Sequence, residues 1–365
     1  MKLCNVCNSS KKNAFEEGDC FICQNHIGSL ENIAQKGAAL LPSNIKFFSL
    51  STTIPNEWLA REEIVWDYKL TGTVSIKTFI NQFLNERISA LSGKKPKSDG
   101  DVILLVKFPA GDVSICWNDL FVFGKYKKLK AGLSQTRWVC SNCNGKGCEK
   151  CKNLGKFYHS VEEEIGEALK KACKADSYIM HASGREDIDV TNLAGRPFVL
   201  QLKGAQVRTP NLLHVSNEIN NKKNVMVEGL KIVRRGSVET VTTSHFDKCY
   251  RAVVEFESKP TEEQINEILK LAGRTIKQKT PIRVEHRRAF LTRERKVLDI
   301  SLISLKDKRA EFLITTEPGT YIKELVSGDE GRTTPSFSSA AGVSARCVSL
   351  CVVKILDDFL DWVKL

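Results

Sequence analysis

Eight of the thirteen cysteines in this chain stand in four Cys-x-x-Cys pairs, and no other feature restricts the possible folds so strongly. Two thiolates three residues apart can share one metal, so the chain must fold back wherever two such pairs meet. Cys4, Cys7, Cys20 and Cys23 form Cys-x2-Cys-x12-Cys-x2-Cys, a spacing that predicts one tetrahedral zinc site. Four soft ligands leave no open position, so the expected site is structural and not catalytic. Cys140, Cys143, Cys148 and Cys151 repeat the pattern with a four-residue spacer, short for a zinc ribbon, in which Gly145 and Gly147 permit a tight return. One zinc ion is the expectation and a second is possible. Free thiols, a redox pair, His26 as a substitute ligand, and pairs combining between the two clusters all stay open.

With 365 residues the chain has room for two or three domains. Apolar residues make up 42% and charged residues 27%, the balance of a globular protein. No apolar run reaches membrane-spanning length and no signal peptide precedes the first cysteines, which predicts a cytoplasmic protein. The net charge of +12 gathers at residues 125–130 and 283–296, the footprint of a polyanionic partner such as RNA. Phe121, Phe123 and Tyr126 interleave with the first cluster, so Lys125, Lys127 and Lys128 are expected on a face that touches phosphate.

Periodicity predicts an α+β chain. Ser75 can cap a helix on which Ile76, Phe79, Ile80, Phe83, Leu84 and Ile88 recur at helical spacing. Residues 101–108 and 112–117 flank Pro109-Ala110-Gly111 as a hairpin. Beyond the second cysteine cluster, a helix over residues 161–174 precedes strands at 177–182, 197–202, 225–233, 250–257, 297–305 and 311–316. Thr261-Glu262-Glu263-Gln264 reads as a capping box opening a helix that stops near Gly273. The expected division is a zinc-binding segment at 1–40, an α+β domain at 41–138, a cysteine-rich connector at 139–160, and a larger domain with a mixed, mainly antiparallel sheet at 161–365.

Three stretches in that larger domain carry chemistry together. Gly184-Arg185-Glu186-Asp187-Ile188-Asp189-Val190 follows a predicted strand. Lys248-Cys249-Tyr250-Arg251 puts a tyrosine at the head of another. Gly319-Thr320-Tyr321-Ile322-Lys323-Glu324-Leu325 follows a third. This ordered set resembles the pseudouridine synthases. Residues 182–198, 320–334 and 120–138 are most similar to the archaeal and eukaryotic tRNA enzymes with an N-terminal THUMP-containing domain. One departure is Thr191, with the short loop Asn192–Gly195, where that family usually carries a basic residue and an extra glycine.

The resemblance implies a catalytic domain of pseudouridine synthase type behind a zinc-binding, THUMP-like domain. It implies tRNA as substrate, uridines 54 and 55 of the T arm as targets, no organic cofactor, no membrane, and no obligatory protein partner. Asp187 would be the nucleophile and Lys323 its salt-bridge partner. Tyr250 would stack on the base and assist removal of the C5 proton. Leu325 would pack on the base or support its pocket, Tyr321 would contact the substrate, and Arg185 and Arg287 would hold the displaced backbone. A methyltransferase or thiolation enzyme needs a glycine-rich nucleotide loop, which the scattered Gly184, Gly195, Gly204 and Gly229 do not make. A zinc-containing tRNA-binding protein without activity is the other alternative.

Overall fold

The computed structural model describes residues 1–356 and leaves the side chain of Arg287 outside the description. Two compact units emerge. The first comprises Met1–Leu120 with Cys173–Asp176 and Lys203–Thr209; the second comprises Phe121–Ala172, Ser177–Leu202 and the chain from Pro210 onward. The second unit therefore starts before residue 139. Among the described residues, no helix is long and apolar enough to cross a membrane.

In the first unit, strand Phe47–Thr53 lies between Lys95–Pro96 and Val102–Lys107, parallel to both, and Asp112–Trp117 closes the expected hairpin onto Val102–Lys107. Helix Ile76–Ser92 starts where Ser75 accepts a hydrogen bond from the Thr78 amide. Its Ile76, Ile80, Leu84 and Ile88 are fully buried, one apolar stripe at every fourth position. Cys7, Cys20 and Cys23 belong to the same core as this helix and Phe48, so residues 1–40 are part of the unit and not a separate segment.

The second unit is built on a ten-stranded sheet. Its order is Val225–Val233, Leu120–Lys128, Thr191–Lys203, Ala345–Ile355, Lys248–Phe256, Arg309–Thr316, Thr292–Lys306, Thr275–Lys279 and Thr333–Thr334, with Ser177–Ala182 attached to Thr191–Lys203. Lys248–Phe256 runs antiparallel to both neighbours, whereas Ala345–Ile355 runs parallel to Thr191–Lys203. Ala252, Val254 and Phe256 alternate into the core with Phe312 and Ile314. The capping box at Thr261 and Gln264 is present and opens helix Glu262–Leu269.

Two strands exceed the expectation. Thr191–Lys203 starts six residues before the predicted 197, because its polar first turns pair at Cys351↔Thr191 and Val352↔Asn192. The basic and aromatic stretch 121–130, most of which falls on strand Leu120–Lys128, was expected to present an RNA-facing surface. Instead Phe121 and Phe123 pack on Val199, Val233 and Val241, and Tyr126 and Lys128 are fully buried. Both faces are covered over Leu120–Gly124, and beyond it only Lys125 and Lys127 stay partly exposed.

Candidate active site

The loop carrying Asp187 is held from below by buried polar groups. Gly184 takes φ +76°, a conformation that side-chain-bearing residues rarely adopt, and any Cβ there would meet the Arg196 guanidinium at 3.0 Å. Arg196 donates from Nη1 to the Ser183 carbonyl at 2.6 Å and pairs through Nε with Glu186 Oε2 at 2.6 Å. Tyr126 donates to the other Glu186 oxygen at 2.8 Å, and Gln135 donates to Tyr126 Oη and to the Gly184 carbonyl. Burial opposes the charge on Arg196, but Glu186 keeps its affinity for the proton high. Burial, with Glu186 adding to it, pushes the Tyr126 hydroxyl far above its ordinary range, so Tyr126 stays a donor.

Lys128 completes this support. Its ammonium donates to the backbone carbonyls of Asp187 and Ile188 at 3.0 and 2.9 Å, and the Gly132 amide donates to the Ile188 carbonyl. Lys128 is fully buried, which corrects the expectation that it touches phosphate. Lys127 remains partly exposed and pairs with Glu228 at 3.0 Å; Lys125 is partly exposed on the same strand.

Above this support the carboxylates and cations alternate. Arg283 reaches Asp187 Oδ2 with Nη1 at 2.6 Å and holds the buried Glu324 with Nε, also at 2.6 Å. Burial lowers the proton affinity of Arg283, but Glu324 and then Asp187 more than restore it. Lys323 lies 3.8 Å from Asp187, outside hydrogen-bond length, and 2.7 and 2.6 Å from the two oxygens of Asp189. Partial burial favours a proton on Asp189, yet the bonds and charge from Lys323 hold its carboxyl below the usual range. The expected Lys323–Asp187 pair is thus present only at long range, and the close cation at Asp187 is Arg283.

These groups open on a cavity of about 590 Å³, within the range of pockets that hold small ligands. Arg185, Asp187, Tyr250, Tyr321 and Lys323 all line it, together with Glu186, Arg196, Lys248, Arg283, Arg288 and Arg293. A smaller pocket of about 280 Å³ adjoins Asp187 and adds Trp138 and Asp189 to the lining. Tyr250 pairs with Ile314 and Val352 at the start of its strand. Burial pushes its hydroxyl up to about 12, so at neutral pH it is a phenol and not a phenolate base. Leu325 is fully buried in the core and supports the wall without lining it. Arg287 was expected to hold the RNA backbone, and its side chain lies outside the described residues.

Both cysteine quartets are assembled. The four Sγ atoms of Cys4, Cys7, Cys20 and Cys23 lie within 4.8 Å of one another, and so do those of Cys140, Cys143, Cys148 and Cys151. A tetrahedron of sulfurs about 2.3 Å from a zinc ion has edges of roughly 3.8 Å. Here Cys4–Cys23 measures 3.6 Å, and Cys140–Cys148, Cys143–Cys151 and Cys148–Cys151 measure 3.8 Å. Amides of Gly147, Cys148 and Gly155 point at the sulfurs of Cys143 and Cys151, which suits thiolates. Each quartet closes within its own cluster, and His26 is exposed and outside both. Either set can hold a metal.

Sequence reasoning missed Glu186, Arg196, Gln135, Tyr126, Lys248 and Arg283. A signal existed for three of them. Glu186 and Arg196 are opposite charges flanking an otherwise closing loop, and Arg283 heads the second basic cluster. Gln135 and Tyr126 carried none, because their role depends on a strand pairing far from Asp187 in sequence.

Known proteins are similar to this chain over most of its length. Residues 121–356 match the family described as "Pus10, C-terminal". A protein of Korarchaeum cryptofilum named tRNA pseudouridine synthase Pus10 is 37% identical, covering 77% of this chain and 77% of that one. The protein of that name from Archaeoglobus fulgidus is 34% identical over 97% of this chain and 100% of its own length. The one from Methanocaldococcus jannaschii is 44% identical over 71% of this chain, and over 58% of its own length.

Proposed function

The chain belongs to the Pus10 family and is a pseudouridine synthase, and on that premise we propose that it converts uridine to pseudouridine in the T arm of tRNA, at positions 54 and 55, with Asp187 as the nucleophile. One observation carries the reading. The Asp187 carboxylate lines a nucleoside-sized cavity together with Tyr250, on a loop fixed by buried bonds, with two cations beside one of its oxygens.

Arg283 and Lys323 set two positive charges beside one oxygen of that carboxylate. Asp187 attacks C1′ of the flipped uridine, and the C1′–N1 bond breaks with its electron pair left on uracil. The freed ring turns, C5 forms the new bond to C1′, and the carboxylate leaves. The C5 proton departs and N1 gains one, so the product has the composition of the substrate. Tyr250, a neutral phenol, stacks on the ring and relays the C5 proton through its hydroxyl. Arg185, Lys125, Lys127, Arg288 and Arg293 supply positive charge for the flanking phosphates.

The first unit serves as a THUMP-like RNA-binding domain, which suits its α+β build. Zinc is the metal we assign to both quartets: four thiolates with no open position favour it, and it would hold the chain turns without touching substrate. The test is incubation with an unmodified tRNA transcript and chemical mapping of the product. Pseudouridine at the T arm, lost with Asp187→Asn, is expected. Wild-type protein that forms none overturns the proposal.

A further inference from the structure

Lys248 stands in the catalytic cavity without a counter-charge. It lies two residues before Tyr250 on one strand, so both side chains project from the same face of the sheet. Both line the cavity that Asp187 lines. Lys248 is only 8% exposed. Its ammonium donates to the Phe246 carbonyl at 3.0 Å, and among the described residues no carboxylate forms an ion pair with it. Of the charged groups acting on it, Arg196 on Thr191–Lys203 is of like sign. Asp247, next to it in the chain, and Glu186, committed to Arg196 and Tyr126, attract it from further away. Burial first, and Arg196 second, bring it down to about 8.

A buried cation without a partner costs stability and persists in few places other than binding and catalytic sites. The cavity's own carboxylates, Glu186 and Asp187, are engaged with Arg196, Tyr126 and Arg283, so an anion that meets Lys248 directly has to arrive with the substrate. Uridine is neutral, but the flipped nucleotide brings anionic oxygen from two sources. One is the phosphodiester, charged before and during reaction. The other is uracil itself, which becomes an anion with charge on N1, O2 and O4 once the glycosidic bond has broken.

We propose that Lys248 donates a hydrogen bond to the uracil anion released by C1′–N1 cleavage, and so stabilises the intermediate during the turn of the ring. It keeps its proton throughout, and the bonds made and broken are those of the isomerisation. This rests on the synthase reading above. A group that meets charge only after bond cleavage accelerates the chemical step and leaves ground-state binding alone, whereas a phosphate contact strengthens binding in both states.

The test is Lys248→Met, which keeps length and removes charge, with Lys248→Arg as the conservative variant. Single-turnover rates at saturating tRNA, tRNA affinity and thermal midpoint are measured for each. For Lys248→Met we expect a rate loss of about 10²–10³-fold, typical of removing one donor to a developing anion, with affinity unchanged. Lys248→Arg should recover part of the rate. The saturating rate of wild type should fall as pH rises through about 8, where the ammonium loses its proton, and Lys248→Met should lack that limb. The thermal midpoint of Lys248→Met should hold or rise, since an uncompensated buried charge is gone. Weakened tRNA binding with an unchanged saturating rate assigns Lys248 to phosphate and overturns the proposal. So does a lowered midpoint that accounts for the lost activity. An unchanged rate overturns it and leaves the synthase reading intact, while wild-type protein without activity overturns both.

Discussion

Lys323 holds Asp189, not Asp187, in its closest contact: 2.6 Å to one carboxylate oxygen against 3.8 Å to the other residue. The two aspartates therefore share a lysine, and Arg283 breaks the symmetry by bonding Asp187 alone. Asp187 lines the large cavity and Asp189 does not. Asp187→Asn should abolish pseudouridine formation with tRNA binding near wild type. Asp189→Asn should keep activity within roughly tenfold, since Lys323 then turns to Asp187, a shift of about 1.4 kcal/mol in barrier at most. Single-turnover assays decide between them; a dead Asp189→Asn beside an active Asp187→Asn moves the nucleophile by two positions.

Arg283 bridges Asp187 to the buried Glu324. Arg283→Met leaves Glu324 without its cation. Because the arginine is itself 35% exposed, water screens part of the loss, and a destabilisation of roughly 1–2 kcal/mol is expected. The rate should fall further than stability does. Arg283→Met combined with Glu324→Gln should restore the melting midpoint but not the rate. Restoration of both would make Arg283 a structural residue alone.

The lysines of Leu120–Lys128 divide by burial. Lys125→Ala with Lys127→Ala should weaken tRNA binding and flatten its dependence on salt, because each lost phosphate contact releases one counterion fewer. Lys128→Met should leave the salt slope as it is. It should instead slow the chemical step, because the Asp187 carbonyl loses its side-chain donor and the Ile188 carbonyl keeps only the Gly132 amide. Salt titrations of binding beside single-turnover rates separate the two effects, and a salt slope altered by Lys128→Met refutes the division.

Metal content should be two zinc ions per chain by elemental analysis. Cys7→Ser and Cys140→Ser should each release one ion and lower the thermal midpoint, since metal affinity and folding are coupled. Cys140→Ser should do so with tRNA affinity of the first unit preserved. A wild-type content below one ion per chain would falsify the zinc assignment.

Legibility in the sequence followed the range of the forces involved. The helix at Ile76–Ser92 and the capping box at Thr261 depend on neighbours within four residues, and both were readable. Asp187, Tyr250 and Lys323 were readable as motifs, and the structure brings all three to one cavity. What could not be read is which cation meets which carboxylate, because Arg283 and Lys323 reach Asp187 from 96 and 136 residues further along the chain. Nor could burial of Lys128 be read. A lysine at the end of an aromatic–basic strand has the composition of a surface, and only the far-off loop carbonyls that receive its ammonium make it interior.

That buried lysine also sets where the catalytic unit can be cut. A fragment beginning at residue 139, just after the aromatic–basic stretch, would discard Tyr126, Lys128 and Gln135 together. With them would go the donor to Glu186, the donors to the Asp187 and Ile188 carbonyls, and the sheet neighbour of Val225–Val233. It would retain Asp187, Tyr250 and Lys323 and still present its aspartate on a loop without those bonds. The shortest useful excision begins at or before Phe121, and a minimal enzyme has to be drawn around its scaffold as well as its motifs.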